Sequence, residues 1–474
     1  MVPISLLSLY TIICFFLGYL IWKRSRQPAF LLGLFFLFYW TLIGPWLFTI
    51  DALTGFEGHK IGLKYYPYLE KLFPVKLNQT YIKATFFLAL FLIIIELTVL
   101  WHLRKFKAKK ERSINAFYID HNWLVALSLG SMFLSLLLIK DQVLTAAKFN
   151  HSVYYITRVH HGSWYTLHQL LNQVSIVAIY IGFITYISGK EARLLNTRNW
   201  QKHLPYLYIV AIFLIEAYLL FIGNKRELFF SGIFCFLFYT QNIVGKINWR
   251  KLAFFITVVA TPLILNDGLR GYSPGFLTNY FDTTHLEFTD PEPVKYEPIT
   301  VQNTAARFLF SNELFVPHFS MYGVLAFNVP MAYGKSVVSL VSSFVPRFLW
   351  PDRPEGVYNH YVEGVSASGK TGYTIHHATA WYLNGGIIGI CLGAVLIGFL
   401  WSTLFKVVTT RQVNNTLVNV LQRIAFFAFT AQLPSLIRTG PEGYKALILE
   451  AIVLPGLLIF MATWLPNLFK KKYS

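Results

Sequence analysis

The stretch TFFLALFLIIIELTVLW, Thr85–Trp101, decides the fold class. Its 17 residues hold one ionisable group, Glu96. There is no polar stripe at helical spacing and no strand-like alternation, so every face is apolar. At the helical rise such a segment covers about 26 Å, close to the ~30 Å hydrocarbon core of a bilayer. A helix that is apolar all round belongs inside protein or membrane. Working outward, ten more segments share this character: Ile4–Trp22, Ala29–Phe48, Trp123–Ile139, Leu167–Ile187, Pro205–Ile222, Leu228–Ile243, Leu252–Leu265, Trp381–Phe405, Leu417–Leu436 and Leu447–Leu465. The expected fold is an all-α polytopic membrane protein of about 11 transmembrane helices. Leu314–Met331 carries Pro317, His318 and Asn328 and reads as an interfacial or re-entrant helix.

Composition excludes the soluble alternatives. Of 474 residues, 55% are hydrophobic and 13% charged, the latter about half the ~25% of a soluble domain. Neither a soluble enzyme nor a disordered chain has this balance. Cys14, Cys235 and Cys391 all lie in apolar stretches, which excludes a disulfide scaffold and a zinc finger. The first segment lacks the preceding basic region and following cleavage site of a removable signal. Lys23, Arg24 and Arg26 follow it, and later basic clusters occur at Arg104–Arg112, Lys190–Lys202, Lys246–Lys251, Lys406–Arg411 and Lys470–Lys472. Positive loops mark the cytoplasmic side, which places the N-terminus outside and the C-terminus inside. The net charge of +19 is then mainly a topology signal. Its natural partner is a lipid bilayer with anionic head groups, with no nucleic acid implied.

Residues outside the spans concentrate on the outer face. The largest outer loop runs from Asp267 to Ala378 and should form a cap of short helices. This divides the chain into an N-terminal bundle at 1–266, the loop at 267–378 and C-terminal helices at 379–474.

No phosphate-binding glycine loop and no His-Glu-x-x-His motif is present. The informative residues are cations on the outer side: Lys225 and Arg226 in the turn Gly223–Glu227, Arg270 after a span, Arg347 and Arg353 in the loop, and Arg438 at the end of the Leu417 segment. Guanidinium groups bind phosphate oxygens bidentately and stay charged at any relevant pH. Their other possible role is to anchor helix ends to lipid phosphates. His376 and His377 precede the Trp381 segment, where a histidine could accept a proton from an attacking hydroxyl or simply cap the interface. Glu96, Glu216, Glu450 and Arg423 lie inside spans, positions where ionisable groups are costly and often functional.

These residues resemble a known family, the Wzy-type oligosaccharide repeat-unit polymerases of O-antigen, capsule and enterobacterial common antigen. FVPRFLWPDRP, Phe344–Pro354, is similar to the family's Pro-Arg-x-Leu-Trp-Pro block. Gly223-Asn224-Lys225-Arg226 resembles its Gly-x-x-Arg turn, and Trp381–Gly389 its Tyr-x-Asn-x-Gly-x-x-Gly entry into a span. The resemblance implies a GT-C-like glycosyltransferase on the outer face of a bacterial plasma membrane. Such an enzyme moves a growing glycan from undecaprenyl pyrophosphate to the sugar hydroxyl of the next lipid-linked unit. It implies no cofactor and no metal, with a chain-length regulator and a flippase as partners. Arg226, Arg270 and Arg438, with Lys225 beside them, would hold pyrophosphate, and Arg347 and Arg353 would shape the loop side. The base is not carried over from the family; His377, with His376, is the expectation from position. Two rivals remain: an O-antigen ligase-type transferase, and a flippase or transporter of lipid-linked oligosaccharide.

Overall fold

The computed structural model describes residues 2–54, 75–104, 119–159, 164–191, 204–242, 265, 272–286, 315–345, 350, 352–365, 374–410 and 416–470. Among them all regular structure is helical, with no strand. Six helices are long and apolar enough to cross a membrane: Pro3–Ser25, Pro28–Ile50, Gln79–His102, His121–Leu138, His377–Thr409 and Gly443–Leu465. Leu167–Phe183 and Tyr206–Phe221 are shorter apolar helices. The chain is therefore a helical membrane protein. The segments expected at Leu228–Ile243 and Leu417–Leu436 are helical but are not among the six. The one expected at Leu252–Leu265 lies almost wholly outside the described residues, as does most of the outer loop.

The chain divides into two compact units. The first comprises Met1–Ser113 and Ala305–Leu447, the second Ile114–Thr304 and Ile448–Ser474.

In the first unit, α1 (Val2–Ser25) packs on α2 (Pro28–Phe38), on α3 (Gly44–Thr54) and on α4 (Gln79–His102). A π-helical turn, Tyr39–Ile43, joins α2 to α3 inside one continuous span. Asn78 caps α4 by accepting from the Tyr81 N–H at 2.9 Å. In the second unit, α5 (His121–Leu138), α6 (Lys140–Lys148) and α7 (Val153–Val159) precede the long α8 (Tyr165–Glu191). Then come α9 (Leu204–Phe221) and α10 (Lys225–Asn242). Asp120 caps α5 through the N–H groups of Asn122 and Trp123.

The rest of the first unit is α11 (Phe315–Ala326), α12 (Lys335–Ser343), α13 (Val357–Gly364), α14 (His377–Thr410), α15 (Thr416–Ile437) and α16 (Gly443–Lys445). The described part of α11 is 12 residues, and the residues before Phe315 lie outside the described residues. A second π-helical segment, Ala446–Val453, carries the chain into the second unit and leads to α17 (Leu454–Lys470).

α14 is a helical hairpin. Gly385 (φ −165°, ψ 29°) and Gly386 (φ 60°, ψ −141°) leave the helical region. Before the break, Tyr382 faces Phe87 of α4 and His377 faces Phe91, so this arm runs antiparallel to α4. After it, Gly398 lies against Ile95 and Thr98, and Ser402 bonds His102 at 2.7 Å, so this arm runs parallel to α4. The direction has reversed. A Cβ on Gly389 or Gly393 would strike Trp381, which shows how closely the two arms pass. Residues 377–384 are thus a re-entrant half-helix, and residues 387–409 alone make the crossing. The expected continuous span Trp381–Phe405 is corrected accordingly. The break is stabilised by residues of the segment 315–345. The Ala332 N–H donates to the Leu383 carbonyl at 2.6 Å, and Asn384 bonds both Ser336 and the Ala380 carbonyl.

Packing in this unit follows membrane rules, with small residues where backbones approach. Gly398 sits where any Cβ would meet the Ile95 carbonyl oxygen. Trp401 fills the space over Gly33 and donates its indole N–H to Thr430 at 3.0 Å.

Candidate functional site

The re-entrant half-helix delivers His376 and His377 to the interior of the first unit, where both are fully buried. Their depth can be counted along neighbouring spans. Phe91, which touches both rings, is twelve residues beyond Gln79 and eleven short of His102. Trp40, which stacks under Arg438, is twelve beyond Pro28 and ten short of Ile50. The histidines and Arg438 therefore sit beside the middle residues of two spans, about 15–18 Å from either end. The expected position of Arg438 at the outer membrane boundary is corrected inward. The chain does not stop at the surface after α15, because the turn following it is sunk into the bundle.

Each histidine has a defined tautomer. The His377 Nδ1–H donates to the Thr439 carbonyl at 2.7 Å, while Nε2 accepts from the Trp381 indole N–H at 3.0 Å. Indole can only donate, so Nε2 carries no proton. His376 Nδ1 accepts from the Ala378 N–H at 3.1 Å, which leaves Nε2 as the protonated nitrogen facing Thr41 Oγ1 at 3.4 Å. Neither ring presents an open lone pair. The general-base role expected for His377, with His376 as its neighbour, has no free acceptor in this geometry. What His377 does hold is the turn bearing Arg438, through Thr439. Phe91, Trp381 and Tyr444 enclose its ring, with centroids at 6.0, 6.3 and 5.6 Å.

Arg438 is half-buried, with its guanidinium carbon 5.2 Å from the centre of the Trp40 ring. A cation on an indole face is attracted by the ring quadrupole and can still bond an anion in its own plane. The π-helical turn at Tyr39–Ile43 presents both Trp40 to Arg438 and Thr41 to His376. Such bulges are rare and occur often at functional sites. Ser320 of α11 accepts from the His376 backbone N–H at 3.0 Å and lies 3.0 Å from Thr379 Oγ1, so α11 is bonded to the half-helix.

Glu442, four residues past Arg438, accepts from the Val357 N–H at 2.8 Å and caps α13. Burial raises its carboxyl above the ordinary 4.5, and the Val357 N–H partly offsets this. Arg353 donates to the carbonyls of Ser343 and Val345 at 3.4 and 3.3 Å, closing the end of α12. It therefore shapes the loop.

The second unit has its own cationic position. Arg226, in the first turn of α10, pairs with Glu450 at 3.4 Å; the side chains are 36% and 9% exposed. Glu450 lies in the second π-helical segment. The long contact and partial exposure leave Arg226 surface for an anion. Glu216 accepts from the Tyr180 hydroxyl at 2.6 Å and the Ser231 hydroxyl at 2.9 Å, a closed hydrogen-bond set between α8, α9 and α10. Arg270 and Arg347 lie outside the described residues, and Lys225 is described only as the start of α10. Among the described residues, no group of three or more His, Cys, Asp or Glu is placed to hold a metal ion.

Sequence reasoning missed Trp40, Thr41, Trp381, Tyr444 and Glu442. Trp381 stood within a motif quoted for the resemblance. Trp40 and Thr41 had no local signal, since a π-helical turn depends on what packs against it.

No family model, no characterised protein and no solved structure matches the chain.

Proposed function

We propose that the protein is a glycosyltransferase that polymerises lipid-linked oligosaccharide repeat units on the outer face of a bacterial plasma membrane. Eleven spans and one large outer loop are part of this reading. The observation that carries it is Arg438 held on Trp40 at mid-span, beside a re-entrant half-helix bonded to the outer loop. Irregular backbone at such depth is tolerated where protein buries it or where it lines a water-filled cavity. A cation there suits the pyrophosphate of a polyprenyl carrier, and a loop bonded to the same element suits the sugars. In the reaction the acceptor hydroxyl attacks the anomeric carbon of the donor glycan. The bond to the pyrophosphate oxygen breaks, and the carrier leaves as its pyrophosphate, while the proton of the attacking hydroxyl passes to the leaving pyrophosphate or to water. Charge on the leaving group is then stabilised by guanidinium donors. His377 positions the Arg438 turn, and Glu450 pairs with Arg226.

The test is glycan length in cells carrying Arg438→Ala at normal membrane abundance. Loss of ladders, with single repeat units still attached, supports polymerisation. Loss of all attached long glycan points to ligase-type transfer, and an unchanged ladder refutes the Arg438 role. The broken helix favours one second reading, a flippase or transporter, because discontinuous helices often form substrate sites in transporters. Flux of lipid-linked single units in reconstituted vesicles decides between them.

A further inference from the structure

α12 has its polarity inside out. Along Lys335–Ser343 the buried residues are Ser336, Ser339 and Ser342, three apart and on one face. The exposed residues are Val337, Val338 and Val341, the last 67% exposed, and Phe344 and Val345 continue this face beyond the helix. A loop helix covered by water would show the opposite pattern. The serines have local reasons to face inward. Ser336 bonds Asn384 at the hairpin tip, and Ser342 donates to the Ser339 carbonyl at 3.1 Å.

We propose that α12 lies on the outer leaflet with its valine face in the boundary between head groups and acyl chains, so that its occupant is the lipid bilayer itself. Two further observations point to lipid rather than to a protein partner. The serine face rests on the hairpin tip through Ser336 and Asn384, which leaves the valine face turned away from the bundle, and just past the tip the crossing arm also exposes apolar side chains, Ile387, Ile388 (74%) and Leu392. Exposed apolar surface is thus present both on α12 and on the crossing arm beside the tip to which α12 is bonded. Cations stand at both ends of the helix: Lys335 is exposed at its start, and Arg353 sits on the carbonyls at its finish. Trp350, seven residues past the end of α12 in sequence, is also exposed. Basic and indole side chains flanking a short apolar face are the composition of an interfacial helix. The inference rests on the membrane fold and not on the proposed chemistry.

The experiment uses full-length protein in lipid nanodiscs, with Cys14, Cys235 and Cys391 replaced and a single bimane-labelled cysteine introduced. Val341→Cys is compared with Ile388→Cys, facing lipid, and Asp282→Cys, exposed on the loop. A nitroxide carried near the head group of phosphatidylcholine should quench the Val341 label about as strongly as the Ile388 label, and aqueous iodide should quench it at least about threefold less than the Asp282 label. Iodide quenching equal to that at Asp282 overturns the proposal. Shielding from both quenchers also overturns it, since a second copy or a protein partner would then cover the face. An unmodified chain gives a second measurement. A lipid-borne diazirine should leave adducts on the tryptic peptide spanning residues 336–347. Adducts at Ile388 with none on that peptide overturn the proposal equally.

Discussion

Gly386→Ala tests the helical hairpin directly. Gly386 has φ 60° and ψ −141°, a region almost closed to any residue with a Cβ. Space is not the obstacle, because the nearest atom to an added Cβ is the Met331 methyl at 3.9 Å, an ordinary contact. The cost is therefore backbone strain of about 1–3 kcal/mol. Its neighbour supplies the control. Gly385 has φ −165° and nothing within 4 Å of an added Cβ, so Gly385→Ala should be close to neutral. At about 2 kcal/mol, opening of the half-helix becomes roughly 30-fold more frequent, since ~1.4 kcal/mol is tenfold. Thr379 reports that opening, because it is fully buried and bonded to Ser320. In a chain lacking its native cysteines, Thr379→Cys should react with a maleimide about 30-fold faster when Gly386→Ala is added, provided opening and closing are fast relative to labelling. Adding Gly385→Ala should change the rate by less than about threefold. Equal rates for the two would mean that no left-handed turn is held at 386, and the reversal of α14 would be wrong.

Arg226→Ala should destabilise the second unit by leaving Glu450 buried without its partner. Adding Glu450→Gln should restore thermal stability to within about 1 kcal/mol without restoring polymerisation, and recovery of both would reduce Arg226 to a structural ion pair. Trp381→Phe removes the donor to His377 Nε2 and should cost about 0.5–1.5 kcal/mol of stability. If His377 positions the Arg438 turn, His377→Gln should recover part of the turnover lost in His377→Ala, because its amide can still donate to the Thr439 carbonyl; no recovery would return the base role to the ring. Glu442 gives a pH dependence. Its folded carboxyl is raised by burial, so its contribution is fully present below the unfolded value and is lost as pH rises through the folded one. Thermal stability should therefore fall as pH rises above about 4.5, and Glu442→Gln should flatten that limb; an unchanged slope in the variant would assign the dependence to another group.

Much of the membrane fold was legible because hydropathy needs no tertiary context. Val2–Ser25 and Gln79–His102 are apolar all round, and no other environment suits them. The hairpin had a signal that a smooth apolar count averages away. Asn384, Gly385 and Gly386 place a side chain that competes for backbone bonds before two residues that favour no helix. α12 could be read as amphipathic from K-S-V-V-S-L-V-S-S, but its orientation could not. In water the valines would face inward, and only the bond from Ser336 to Asn384 shows the reverse. Arg438 was placed at the surface by counting to the end of its own span. Its true depth follows from Trp40, nearly 400 residues earlier in the chain.

The irregular segments of the first unit share one physical requirement, and it explains why the outer loop is not an appendage. Each break in a membrane helix frees backbone groups that lipid cannot satisfy. The Leu383 carbonyl freed at the hairpin is taken by the Ala332 N–H, and the His376 N–H at the start of the half-helix by Ser320. The Thr439 carbonyl in the turn after α15 is taken by His377, and the Val357 N–H at the start of α13 by Glu442. Three of these four bonds join residues 320–357 to the two sunken turns. Removing the loop would strand buried polar groups at each place, at about 1–3 kcal/mol apiece. The half-helix that carries the histidines can hold its depth only while the loop is docked. A displacement of the loop would therefore be felt at His377 and, through Thr439, at Arg438.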